Sequence, residues 1–551
     1  MSKNRKMDVW FIISLLIFAA LILFLVYPMF GLIRQSVIMK DGRFSLEQFV
    51  KFFSAKYYTS TIWHSTKVTI CVTLLSLALG IPLSYFYCFY KLKGSKFIFV
   101  ASILCTMSAP FIGAYSWIML LGRSGVITVF LRNHLGFEVG SIYGFGGILL
   151  VQSMQFFPLV FIYMNGAFRN IDNTLMEASA SMGCVGIKRL FQVVLRLVMP
   201  TILAAALVVF MRAFADFGTP ALLGEGYMTF PILIFREYLS ENGADYAFAS
   251  AISVIAIIIT AAVFLLQKWT TSKFQFSINA LHPVERREAS GLKSFFMHLY
   301  AYGICAIAFM PQAYVIYLSF RNCKGSVFHK GYSLVNYQTA AKHYLGRAIR
   351  NTAVLGVTSL GVIILIAILI AYLVVRRSNV LNNTIDTLTM LPYIMPGAVI
   401  GLALLSAFSA KPLALTGTMT ILAISFVIRR MPYTIRSATA TLMQIPLSIE
   451  EAAISLGASK LKTFFTITVP MMSNGIISGA ILSWVSIVTE LSSSVIMYNN
   501  RNLTLTVSAY SAISRGNYGM AAAFSAILTV VTIISLIIYL IISKSEDDVK
   551  I

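Results

Sequence analysis

Apolar residues in this chain fall into long runs separated by short polar stretches. Twelve runs are legible: 10–33, 66–90, 97–121, 146–167, 197–217 and 246–267, then 295–318, 352–375, 386–408, 416–435, 472–496 and 520–542. A helix that crosses a bilayer needs about 20 mostly apolar residues. Each run therefore predicts a spanning helix, and the fold class is an all-α membrane protein of twelve transmembrane helices. The first run follows Lys3, Arg5 and Lys6. It is too long for a signal-peptide core and has no small-residue cleavage site after it, so it reads as a retained helix. The long polar stretch from Lys268 to Ser294 contains Glu285-Arg286-Arg287-Glu288 and reads as a linker. These boundaries divide the chain into a first six-span unit (1–267), a cytoplasmic linker (268–294) and a second six-span unit (295–551).

Composition agrees with that pattern. Hydrophobic residues make up 58% and charged residues 11%, and the mean hydropathy is +0.82. A soluble chain carries roughly a quarter charged residues. The formal net charge is +23, but the basic residues sit in short clusters between apolar runs. That placement fits topology and headgroup contact rather than nucleic acid. The six cysteines show no CxxC pairing and mostly fall inside apolar runs, so they read as small buried hydrophobes. The six histidines have no ligand spacing, and no metal site is expected.

The two halves repeat. Glu177-Ala178-Ser179 and Gly183 recur 274 residues later as Glu451-Ala452-Ala453 and Gly457. Pro158 precedes Glu177 by 19 residues and Pro432 precedes Glu451 by 19; Asp216 follows Glu177 by 39 and Glu490 follows Glu451 by 39. An even number of spans per half makes the repeats parallel, related by an axis along the membrane normal. Lys and Arg in short loops place both termini, and both Glu-Ala elements, on the cytoplasmic side. Each element predicts a stiff helix–turn–helix there. Thr174 and Ser448 are expected as N-caps of capping boxes closed by Glu177 and Glu451. Gly183 and Gly457 are expected to end the short helices.

Here the chain resembles a known family. Glu-Ala-Ala, three residues, Gly, nine residues and Ile-x-Leu-Pro is the signature loop of permease subunits of binding-protein-dependent ABC importers. The second copy continues to Ile467-Thr468-Val469-Pro470 and departs at Val469. The first continues to Val193-Val194-Leu195-Arg196, with Ser179 for Ala and with Pro200 one turn beyond Arg196. The resemblance implies that each loop forms a coupling helix. Glu177, Ala178 and Gly183 would meet one copy of a separate ABC ATPase, and Glu451, Ala452, Ala453 and Gly457 a second copy. It also implies an extracytoplasmic substrate-binding protein as partner and the bacterial inner membrane as location. ATP and magnesium would belong to the ATPase. The chain itself carries no Gly-x-x-x-x-Gly-Lys-Ser/Thr loop and is expected to have no cofactor, no catalytic residue and no covalent chemistry. Two permeases in one chain look most like ferric-iron or thiamine permeases, and Asp216-Phe217-Gly218-Thr219-Pro220 is closest to the iron group, which also holds presumed phosphonate and sugar-phosphate carriers.

Asp216 and Glu490 are candidate pathway residues, because ionisable groups in spans are costly and often line a route. Asp216 could instead pair with Arg212 one turn earlier; Glu490 has no such neighbour on its own helix. Gln152, Gln155 and Asn165 either line a polar passage or link helices. Two basic loops on the outer side, one from Arg34 to Lys56 and one from Arg321 to Arg350, read as headgroup contacts, a docking surface for an acidic binding protein, or a field that attracts an anionic solute. The rival class is an ion-gradient-driven secondary transporter, which also uses twelve spans in two repeats. It calls for paired titratable groups at the midplane and no stiff cytoplasmic element.

Overall fold

The computed structural model describes residues 9–39, 41–137, 140–239, 245–273, 284 and 286–542. Lys3, Arg5, Lys6, Lys40 and Glu285, together with 274–283 of the expected linker, lie outside the described residues.

The main helices of the first half are α1 (Val9–Val37), α2 (Lys56–Phe89), α3 (Ser95–Met107), α4 (Pro110–Leu121), α5 (Phe145–Arg169), α6 (Asn173–Ser181), α7 (Met199–Ala215) and α8 (Tyr246–Lys273). The second half contributes α9 (Gly291–Ser319), α10 (Leu345–Arg376), α11 (Val380–Ile394), α12 (Gly397–Ala407), α13 (Met419–Gln444), α14 (Leu447–Ser455), α15 (Ser473–Val488) and α16 (Tyr518–Ile542). Among the described residues, eight helical segments are long and apolar enough to cross a membrane, and up to eleven if each of three bent pairs is one span. Helix α13 is not among them; it carries Arg429, Arg430 and Arg436 inside an otherwise apolar sequence.

Three expected spans are broken rather than continuous. The run 97–121 divides at Ser108-Ala109, just before Pro110. The run 386–408 divides between α11 and α12, before Gly397, with a bend of 113°. A proline lacks the N–H that a continuing helix needs, and it restricts the residue before it to extended backbone. The third break lies in the run 472–496, where α15 ends at Val488 and a short helix follows at Ser494–Met497. The all-α reading also missed a hairpin, β1 (Arg321–Lys324) with β2 (Val327–Tyr332), joined through Gly325 at φ +63°.

Two compact units cut across the sequence halves. The first comprises Met1–Phe49, Glu237–Val254 and Ser319–Ile551; the second comprises Val50–Arg236 and Ile255–Leu318. In the first unit, α13 lies against both α10 and α15. Small residues allow close approach: a Cβ on Gly479 of α15 would meet Thr434 Cα of α13 at 2.7 Å, and one on Gly356 of α10 would meet the Trp484 ring of α15 at 2.6 Å. Thr434 and Ser483 then share a hydrogen bond of 2.8 Å across the seam. Such seams of small and hydroxyl residues are how helices associate where lipid offers no hydrophobic drive. Helix α1 joins this unit through Trp10, whose ring lies 4.4 Å from Tyr372 and 5.0 Å from Phe464.

In the second unit α2 lies along α5, and a Cβ on Gly80 would meet Val160 Cβ at 2.7 Å. Helix α9 belongs here. Its Tyr300 donates to the Leu79 carbonyl (2.9 Å) and its Tyr302 to the Lys93 carbonyl (2.6 Å). Arg287 N donates to Phe89 O and Lys91 N to Arg287 O, both at 2.9 Å, so part of the expected linker is stitched to the α2–α3 turn. The first helix of each half is therefore seated among helices of the other half.

Replacing Trp10 by Ala would empty the site between Tyr372 and Phe464. The expected cost is about 3–5 kcal/mol, read as a lower thermal-unfolding midpoint of the detergent-solubilised chain; an unchanged midpoint would refute this seating.

Candidate functional site

The two Glu-Ala elements fold alike. Helix α6 ends in Gly183 at φ +75° and α14 in Gly457 at φ +89°. Cys184 N bonds Ser179 O at 2.9 Å and Ala458 N bonds Ala453 O at 3.1 Å. This six-to-one closure turns the chain sharply, and only glycine takes the left-handed turn without strain. A four-residue helix follows (Gly186–Arg189, Lys460–Thr463), then a π-helical turn (Leu190–Val194, Phe464–Thr468). The chain then bends into α7 by 68° and into α15 by 67°. The bends agree although Pro470 precedes the second bend and Pro200 follows the first.

The expected caps are corrected. Asp172, not Thr174, caps α6: its carboxylate accepts from Thr174 N (2.9 Å) and from the Thr174 hydroxyl (2.8 Å). The carboxylate two residues earlier takes the capping position, and the Thr174 hydroxyl is turned toward it as a donor. Glu177 instead accepts from the Asn173 amide at 2.7 Å. At α14 the N-cap is Pro446, without a side-chain cap bond, and Ser448 already lies inside the helix. The proline ring fixes the entry dihedral one residue before Leu447.

Each element buries one face and exposes the other. Met176 and Ser179 are buried in α6, and the equivalent Glu450 and Ala453 in α14. Glu450 accepts from Arg376 Nε (2.8 Å) at the end of α10, and Arg376 also donates to the Ile445 carbonyl (2.7 Å). In the first copy, buried Arg189 donates to the Met176 carbonyl (3.3 Å). Glu177, Ala178, Gly183, Glu451, Ala452 and Gly457 face outward; Ala453 does not. Beside them stand Met182 and Leu456, 87% and 89% exposed at equivalent positions. Each copy thus carries one large exposed apolar side chain directly before its glycine.

The acids at 216 and 490 also act alike. Asp216 is buried; it accepts from Gly218 N (3.0 Å) and from Gln152 Nε2 (2.9 Å). Glu490 is buried; it accepts from Ser493 N (3.1 Å) and is gripped by Arg429 and Arg430 of α13. Each carboxylate thus closes the backbone turn where a helix stops and ties it to the helix before the Glu-Ala element. Glu490 lacks a partner on its own helix, as expected, but has two from a neighbouring one.

A family model described as binding-protein-dependent transport system inner membrane component matches residues 5–274 and 363–547. The chain belongs to that family. This permease is 28% identical to a ferric transport system permease protein FbpB of Actinobacillus pleuropneumoniae over 95% of its own length and 77% of the relative's. It is 27% identical to a putative ferric transport system permease protein of Haemophilus influenzae over 90% and 79%. A putative 2-aminoethylphosphonate transport system permease protein of Salmonella typhimurium matches 49% of the permease at 24% identity, over 94% of that relative.

The remaining candidates separate. Gln152 is a clamp partner, and Asn165 accepts from the Cys88 thiol at 2.9 Å, linking α5 to α2. Gln155 lines a cavity of about 20 Å³ at the Ala109-Pro110 break, room for about one water. Sequence reasoning passed over Arg429 and Arg430, although two arginines inside an apolar run are themselves a signal. It also passed over Met182, Leu456 and Glu450, which only the folded face distinguishes from their neighbours.

Removing the charge at Glu490 (Glu490→Gln) takes the counter-charge from buried Arg429 and weakens the hold on half-buried Arg430, and is expected to cost about 3–5 kcal/mol. Asp216→Asn keeps a neutral partner for Gln152 and is expected to cost about 1–2 kcal/mol. Thermal unfolding of the two variants side by side checks the order; equal losses would contradict it.

Proposed function

We propose that this chain is the membrane permease of an ATP-driven, binding-protein-dependent importer, with twelve spans in two repeats (1–267 and 295–551) joined through 268–294. The count of twelve takes each bent pair as one span and adds α13. The observation that carries the reading is the twinned cytoplasmic element, with Glu177, Ala178 and Met182 outward in one copy and Glu451, Ala452 and Leu456 in the other. Two copies of a separate ATPase would seat on these two surfaces. Their approach on ATP binding would move α7 and α15 through the π turns. A binding protein on the far side would deliver the solute. Asp216 and Glu490 hold the turns after α7 and α15 in register, which is a positioning role beside the pathway. Both termini lie in the cytoplasm on this reading.

The solute is ferric iron or an iron complex. Two relatives named for ferric transport match nearly the whole chain, which supports this choice. The phosphonate-named relative matches half of it and keeps that solute as the second reading, with sugar phosphate and thiamine behind it. An ion-gradient-driven carrier is disfavoured, because Asp216 and Glu490 are both tied up in structural hydrogen bonds rather than arranged as a relay.

Met182→Asp and Leu456→Asp are each expected to reduce ATPase recovery in a pull-down by about tenfold, since each removes most of a well-buried contact. Neither side chain supports the fold, so thermal unfolding should stay unchanged. In proteoliposomes, radiolabelled ferric iron should accumulate only with the ATPase, the binding protein and ATP all present. Accumulation by the chain alone, driven by a proton or sodium gradient, would sink the proposal.

A further inference from the structure

Helix α10 is a rod of about 48 Å. One end carries Arg376, bonded to Glu450. The other end borders a cavity of about 570 Å³ lined by Arg347, Arg350, Asn351, Val354, Met419 and Arg501. Three exposed arginines line the space, and no carboxylate is among its lining residues. Arg347 donates to the Asn500 carbonyl (2.9 Å), and Asn351 donates to the Arg501 and Leu503 carbonyls (both 2.9 Å), so the loop carrying Arg501 is fixed against α10. Among the described residues, the side chains of Arg350 and Arg501 have neither a hydrogen-bond partner nor an ion pair. Met419 opens α13, whose N-terminus, capped by Thr418 at Ile421 N (3.4 Å), adds positive potential. Like charges lining one space favour an anion there.

The surroundings say which anion. Val354 forms part of the wall and is 44% exposed, and it continues an exposed apolar stripe through Val357 (64%) and Leu365 (61%). The basic space therefore opens beside an exposed apolar stripe of α10, which on the proposed function faces lipid. The first repeat supplies an independent marker. Ser65 accepts from Phe230 N as Thr352 accepts from Leu505 N, both at 2.9 Å. His64 meets the Met228 carbonyl (3.2 Å) as Asn351 meets that of Leu503. These paired bonds fix the register of α2 on α10 and put Trp63 at the position of Arg350. Trp63 is 66% exposed. An exposed tryptophan at a helix end is the usual anchor at the headgroup level. Arg350 occupies the same register with a phosphate-binding group instead.

We propose that this cavity holds the phosphate of one anionic phospholipid, with Arg350 and Arg501 as its principal ligands and Val354 and Met419 against its acyl–glycerol region. The lipid would brace the end of α10 opposite the Arg376–Glu450 contact.

The test uses the full chain purified in mild detergent from a mixture of phosphatidylglycerol and phosphatidylcholine, with bound lipid counted by native mass spectrometry. Wild type is expected to retain one phosphatidylglycerol. Arg350→Gln with Arg501→Gln should lower that occupancy about tenfold or more, given the strength of charge-assisted bonds to phosphate, while the double Lys variant keeps most of it. Arg350→Trp, the residue type of the first repeat, should fold as wild type and lose the lipid. Equal retention of phosphatidylcholine, or full retention by the Gln variant, overturns the proposal. Displacement by excess inorganic phosphate would assign the cavity to a free anion and overturn the lipid source. Loss of an acidic soluble partner in the Gln variant, with lipid retained, would make it a protein contact and equally overturn it.

Discussion

A helix that stops inside a hydrocarbon layer must find partners for the backbone groups it abandons, because lipid supplies none. This chain stops several helices, and the fold depends on how each stop is satisfied. At α7 and α15 the solution is one carboxylate per repeat, aimed at the amide of the turn that follows. The acid then needs an answering group, and the two repeats differ. Gln152 answers Asp216 with a neutral amide, whereas Arg429 and Arg430 answer Glu490 with charge. Gly397 lets Arg429 reach the break between α11 and α12 as well; a Cβ there would lie 2.6 Å from the guanidinium. The second repeat therefore gathers two interrupted elements around a single buried cation, and the first does not.

Much of this was legible in the residues alone. Long apolar runs dictate helices because their length matches the layer. The 274-residue offset carries the Glu-Ala elements, the glycine turns, the acids and, in the fold, the π turns and bends. The caps were not legible, because an Asx cap two residues upstream and a proline entry each outcompete a nearby hydroxyl. Nor were the seats of α1 and α9. A periodic pattern tells which face of a helix is apolar, but not which distant helices cover it. The hairpin escaped because Gly325-Ser326 is a two-residue turn flanked by strands of only four and six residues, too short to show alternation.

The exposed and buried faces of α6 and α14 divide labour that the motif alone does not separate. The inward face is repeat-specific: Arg376 grips Glu450 in one copy, and Arg189 holds the Met176 carbonyl in the other. The outward face is shared, down to one large apolar side chain before the glycine. A surface kept alike on two differently braced supports is what two identical partners would require. On the proposed function, different bracing also means that equal pushes need not produce equal displacements of α7 and α15.

The seating of α1 has a consequence for how the molecule is made. The indole of Trp10 is synthesised long before its ring partners Tyr372 and Phe464, which lie in the second repeat. Through that interval the amino-terminal helix must wait in the bilayer without its socket, exposed to quality-control proteases and to the same helix of neighbouring nascent chains. Joining both repeats in one polypeptide turns that wait into an intramolecular search, at an effective concentration no pair of separate subunits could match.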